Sequence, residues 1–237
     1  RDVPHSTTSD LAIQHYETAL GQYQSYRGDA LATLDAALAA DPSFVSAHLF
    51  KAFLLYTLTE KKYVPDAAAA LDAARAHAAL MTPREQRLLA AGDQLVRYEW
   101  DDACRTFDAV LVDHPRDAVA LQTAHLMDFL RGDALNLRNR IARVLPHWSA
   151  AAPGYSYVLG MHAFGLEECN QYPEAERTAR HALEIEPKDG WAVHAVAHVM
   201  EMQGRIDDGI DWLQSREQDW APDNAFAFHN WWHLALF

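Results

Sequence analysis

The sequence predicts an all-α fold, and three observations carry that prediction. Half of the 237 residues are apolar and 22% are charged, which is ample for a core and too apolar for a disordered chain. The long segments are built from Ala, Leu, Glu, Gln and Arg, which lose little on entering a helix, while β-branched residues never alternate over the length of a strand. Apolar residues recur three and four positions apart, and Gly and Pro fall between such runs more often than within them.

Taken in order, the runs 10–26 and 28–40 are closed by Pro42, and 44–60 and 66–81 by Pro83. Runs 84–96 and 99–113 end before Pro115, and 117–131 and 134–145 before Pro146. Run 155–170 stops at Pro173, 173–185 at Pro187, and 190–203 and 206–217 before Pro222, which leaves 223–237 as the last helix. No segment remains to partner a strand.

The prolines are periodic. Pro187 and Pro222 lie 35 residues apart, Pro42 and Pro115 73, and Pro115 and Pro187 72, so each longer gap holds two shorter units. Small or large apolar residues recur upstream of them: Ala30 and Ala37, Ala103 and Phe107, Ala175 and Ala182. Small residues let paired helices approach, and the proline ends the second of each pair. This is the tetratricopeptide pattern of about 34 residues per helix hairpin. The expected architecture is an α-solenoid of such hairpins in a right-handed superhelix, one array over residues 1–237. Residues 134–153, with Pro146 and Pro153, break the spacing and read as an irregular unit.

Two helices carry histidines in register. On 190–203, Val193, Val196, Ala197 and Met200 form a core stripe, with His194, His198 and Glu201 one residue further round. On 223–237, Phe228, Trp231, Trp232 and Ala235 form the corresponding apolar stripe, with His229 and His233 beyond it. Residues four apart sit above one another on a helix, ~6 Å along the axis, and packed helices run ~8–10 Å apart. The two pairs are therefore expected to converge in the concave groove, where His194, His198, His229 and His233 would suit a divalent metal such as zinc, iron or manganese. Glu201, or Glu167 or Glu168 from the preceding unit, would then serve as general base. Tyr157, His162 and Asn230 are candidates to line the groove and hold substrate. Residues 194–198 read HAVAH rather than the HExxH of a metalloprotease. Trp231 and Trp232 read as core rather than as a substrate platform, and His125 likewise as core.

Composition excludes other classes. With 33 acidic and 20 basic side chains the formal charge is −13, the wrong sign for nucleic acid or an anionic membrane surface. No run approaches the ~18 apolar residues of a membrane span, and RDVPHSTTSD at the start has no signal-peptide core. Cys104 and Cys169 make neither a disulfide framework nor a zinc ribbon, which fits a reducing, cytoplasmic compartment.

The segments PHSTTSD (4–10), MTPREQ (81–86), YSYVLGMHAFGLEECNQYPEAE (155–176), WAVHAVAHVMEMQGRIDDG (191–209) and FHNWWHLALF (228–237) together resemble the tetratricopeptide repeat protein 38 family. The H-x3-H-x2-E and H-N-x2-H elements are the most specific part of that likeness. The resemblance implies a tetratricopeptide-type α-solenoid and a chain that is the amino-terminal portion of a longer protein; it brings no general activity with it.

Two functions from different classes follow. One is a metal-dependent hydrolase of a small polar metabolite, such as an amide or lactam, with its site in the groove. The alternative is a scaffold that captures a peptide or protein partner without catalysis. Groove-facing positions that hold His and Glu, with Asn230 alone of the peptide-binding sort, favour the compact polar site. Self-association is compatible with either.

Overall fold

A computed structural model describes residues 2–237. Helix takes up 76% of the chain, and the described residues form no strand. The α-helices are α1 (Asp10–Ser25), α2 (Ala30–Ala40), α3 (Val45–Thr57), α4 (Val64–Ala76), α5 (Pro83–Val96), α6 (Trp100–Asp113), α7 (Ala118–Leu130), α8 (Ala134–Val144), α9 (Tyr155–Glu168), α10 (Tyr172–Ile185), α11 (Gly190–Met202), α12 (Ile206–Ser215), α13 (Glu217–Trp220) and α14 (Ala227–Leu236). None is long and apolar enough to cross a membrane.

The periodic prolines punctuate as expected. Pro42, Pro115 and Pro187 each sit two residues past the end of a helix, where the missing N–H costs nothing. Two positions on, Asp117 and Asp189 begin the next helix. Asp117 Oδ1 accepts from Ala120 N at 3.1 Å, and Asp189 Oδ1 accepts from Trp191 N and Ala192 N at 3.0 and 3.1 Å. After Pro42 that position is Phe44, which has no capping atom; the hydroxyl of Ser6 accepts from Val45 N instead, at 3.0 Å.

The chain forms two compact units, one up to Tyr23 with Asp29–Leu130, the other Gln24–Gly28 with Arg131–Phe237. In the first, α3 packs against α4 and α5, and α5 against α6, over a core of Phe44, Phe50, Phe53 and Phe107. Beside it lies a buried polar knot. Arg84 pairs with Asp117 at 2.7 Å, both side chains almost wholly buried. Ser46 donates to Glu85 at 2.6 Å and accepts from Arg84 at 3.1 Å, with His5 Nδ1 2.9 Å away. Glu85 also closes a capping box with Thr82. The PHSTTSD and MTPREQ segments meet here, where Ser6 N donates to Glu85 Oε1 at 3.1 Å and Arg84 donates to Pro4 O at 3.3 Å.

In the second unit α9 packs against α8, α10 and α11, and α11 against α10, α12 and α14. Gly165 lets α8 lie directly on α9: a Cβ there would stand 2.6 Å from Arg138 Cα. The core stripe expected on α11 is in place, with Val193, Val196, Ala197 and Met200 buried. The one expected on α14 is not. Phe228, Trp231 and Trp232 are 72%, 43% and 54% exposed, and Ala235 is exposed too. Ala227, Asn230 and His233 face inward instead. The helix also starts later than position 223. Asn224 Oδ1 accepts from Phe226 N, Ala225 N donates to Tyr26 O, and Arg27 holds the carbonyls of Asp219 and Pro222, which keeps this stretch a loop.

Candidate metal centre

A 35-residue register in the sequence builds the site. Asp189 and Asn224 stand at equivalent turns 35 residues apart, and His194 and His198 follow Asp189 by the same intervals as His229 and His233 follow Asn224. Because α11 and α14 pack side by side, equal offsets bring the pairs face to face. The ligand atoms of all four histidines lie within 4.8 Å of one another. His194 and His233 are each only 2% exposed; His198 and His229 are half-buried.

The protons can be placed. His233 Nδ1 lies 3.0 Å from Glu201 Oε2. A carboxylate only accepts, so Nδ1 carries the hydrogen and Nε2 offers its lone pair to the cluster. His229 Nε2 lies 3.0 Å from His194 Nε2 and 3.1 Å from His233 Nε2. One ring nitrogen at the centre of two such contacts cannot donate well to both, and a lone pair it presents meets the lone pair of His233. Hydrogen bonding among the rings therefore leaves the cluster unsatisfied. A cation would satisfy every nitrogen at once. Donors around a tetrahedral zinc at ~2.0–2.1 Å stand ~3.4 Å apart, near the spacings found here.

The charge state agrees. Burial, then the neighbouring histidines, holds His194 well below its ordinary pKa. Burial lowers His229 as well, and takes His233 to about 4 against the pull of Glu201. These rings are neutral at neutral pH, the form a metal needs. Aromatic rings wall the site: Phe164, Trp191 and Phe226 all lie 5.0–5.4 Å from the His194 ring or each other. Trp191 and Phe226 are again 35 residues apart, three before His194 and His229. The sequence reading missed them, although that interval was the available signal.

The two carboxylates expected as bases stand behind imidazoles. Glu201 faces His233 rather than the α11 histidines beside it in sequence. Glu167, 4% exposed, places Oε2 3.3 Å from His198 Nδ1 without the alignment of a hydrogen bond. Glu167, Glu168 and His198 form a second group whose ligand atoms lie within 4.8 Å. Burial and the charge of Glu167 push the Glu168 carboxyl up.

The expected substrate residues have partners of their own. Asn230 is fully buried and its Nδ2 donates to Gly190 O at 3.2 Å, tying α14 to the start of α11. Tyr157 has Asp189, Glu186 and Ser25 as neighbours, and burial raises its pKa. His162 faces Glu174 and Arg138, and burial lowers it. His162 does not belong to the histidine group. No protein-family model matches the chain.

Proposed function

We propose that the chain is a metalloprotein in which His194, His198, His229 and His233 hold one divalent cation, zinc, iron or manganese, and that this centre serves as a metal-dependent hydrolase of a small amide-type metabolite. The observation that carries it is the convergence of three Nε2 atoms at 3.0 and 3.1 Å, with a carboxylate fixing the tautomer of His233. Carboxylate-backed imidazoles are the usual second shell of a protein metal site. With an open fifth position beside the four imidazoles, such an ion would lower the pKa of a bound water towards ~7 and polarise a carbonyl. Around it, the side chains of Phe164, Trp191 and Phe226 exclude water from one side, and the half-buried His198 and His229 leave the other open to a small substrate. The tetratricopeptide-type solenoid and membership of the tetratricopeptide repeat protein 38 family belong to the same proposal.

Elemental analysis of the purified protein, with zinc titration of chelator-treated protein, tests the metal. A His194→Ala/His229→Ala variant removes one ligand from each helix and should abolish binding while the helical spectrum is kept. Unchanged metal content in that variant, or no uptake by the parent protein, would overturn the proposal. Loss of amide hydrolysis in step with metal content tests the catalytic half. The alternative, a scaffold for a peptide or protein partner, draws on the exposed Phe228, Trp231 and Trp232 of α14, and it is the reading left if the parent protein takes up no metal.

A further inference from the structure

We infer that Glu167, Glu168 and His198 form a second divalent-cation site that shares His198 with the four-histidine centre. The inference deepens the metal reading and rests on it through His198 alone.

Three features point to a cation there. Glu167 is 4% exposed, yet its Oε2 makes no hydrogen bond. A buried carboxylate oxygen without a donor costs several kcal/mol unless a positive charge stands beside it. Second, no Lys or Arg pairs with Glu167 or Glu168 among the described residues; the sole ion-pair contact is the His198 ring. Third, both carboxylates lie in the last turn of α9, where the helix dipole already presents its negative end. Two carboxylates there, one of them buried, repel each other and the dipole. Sequence and packing thus concentrate negative charge at a point where the protein itself offers only the His198 ring.

His198 joins the two groups. Its Nδ1 faces Glu167 Oε2 at 3.3 Å, and its Nε2 is the nitrogen left for the four-histidine group. With both sites filled the ring gives up its N–H proton to solvent and serves one cation with each nitrogen. Two carboxylates and one imidazole make a harder, oxygen-rich donor set than four imidazoles, so the second site should prefer manganese or magnesium where the first prefers zinc.

The test is metal stoichiometry of the full chain. Chelator-treated protein is titrated calorimetrically with zinc, then the zinc-loaded protein with manganese. One equivalent of each is expected. Glu168→Gln and Glu167→Gln should each weaken the manganese step at least tenfold and leave one equivalent of zinc. If zinc binds but no equivalent of manganese follows, or if manganese binding survives unchanged in either well-folded variant, the second site is wrong and the four-histidine centre stands. If zinc itself fails to bind, the metal reading falls, and this inference with it. Because Glu167 is buried and its variant is at risk of misfolding, anomalous scattering from crystals of the parent protein soaked in both metals gives an independent count. Two peaks are expected, and a single peak at the histidines would overturn the inference.

Discussion

Which nitrogen a histidine offers is settled by what stands behind it, and here that is Glu201 for His233. The pairing joins residues 32 positions apart on different helices. In the sequence Glu201 belongs to an H-x3-H-x2-E run and so looks like a base beside His194 and His198. The four histidines were legible because their 35-residue register repeats. The task of the carboxylate was not, because it depends on the rotation of α14 against α11. The two roles separate by experiment. If Glu201 orients His233, Glu201→Ala should lower zinc affinity ~10–100-fold, and Glu201→Gln, which keeps an acceptor, should lower it less. If Glu201 were instead a base acting on substrate, both variants would keep zinc affinity and lose turnover. Competition against a chelator of known affinity measures the first quantity, and initial rates the second.

Helices were easy to place, and helix faces were harder. Runs and prolines located nearly every element, since Pro two residues past a helix end and Asp at the next N-cap are local chemistry. The face of α14 was misjudged because its aromatic residues outweigh Ala227, Asn230 and His233 in any count of hydrophobicity. What buries the polar stripe is specific bonding, Asn230 to Gly190 O and His233 to Glu201, and not apolar area. The caps yield a ranking. Ser6→Ala removes the borrowed cap of α3 and should cost ~0.5–2 kcal/mol. Asp117→Ala removes the cap of α7 and also strips Arg84 of its buried partner, which should cost ~3–5 kcal/mol. Trp232→Ser, on the exposed face of α14, should stay within ~0.5 kcal/mol. Urea denaturation orders the three, and a Trp232 variant as damaging as Asp117→Ala would show that the aromatic face is buried after all.

At the scale of the whole molecule these buried groups set how stability depends on pH. His5 and His233 are each taken from 6.5 to about 4, first by burial, and burial holds His194 well below its ordinary value too. In the unfolded chain each returns to ~6.5. Between the two values the unfolded state binds more protons, so the metal-free protein loses stability as pH falls from ~6.5 to ~4, by up to ~1.4 kcal/mol per pH unit for each group. Asp189 works the other way. Burial raises it from 3.8 to about 7, so the folded state binds the extra proton and acidification through that range is favourable. The Glu168 carboxyl is raised as well, while His48, His162 and His229 are lowered like the others, so two carboxyls stand against six histidines and leave a net loss below pH 6.5, with the optimum of the metal-free protein near ~6.5–7. A bound metal steepens the curve. At ~1,000 times its dissociation constant it adds ~4 kcal/mol at neutral pH, and protons compete for the same nitrogens as pH falls. The difference in melting temperature between zinc-loaded and metal-free protein should therefore hold from neutral pH down to about 5 and be lost only as pH falls through ~4, where His233 takes up its proton. A zinc-dependent increment already lost near pH 6 would mean that imidazoles of ordinary pKa, and not this buried group, hold the ion.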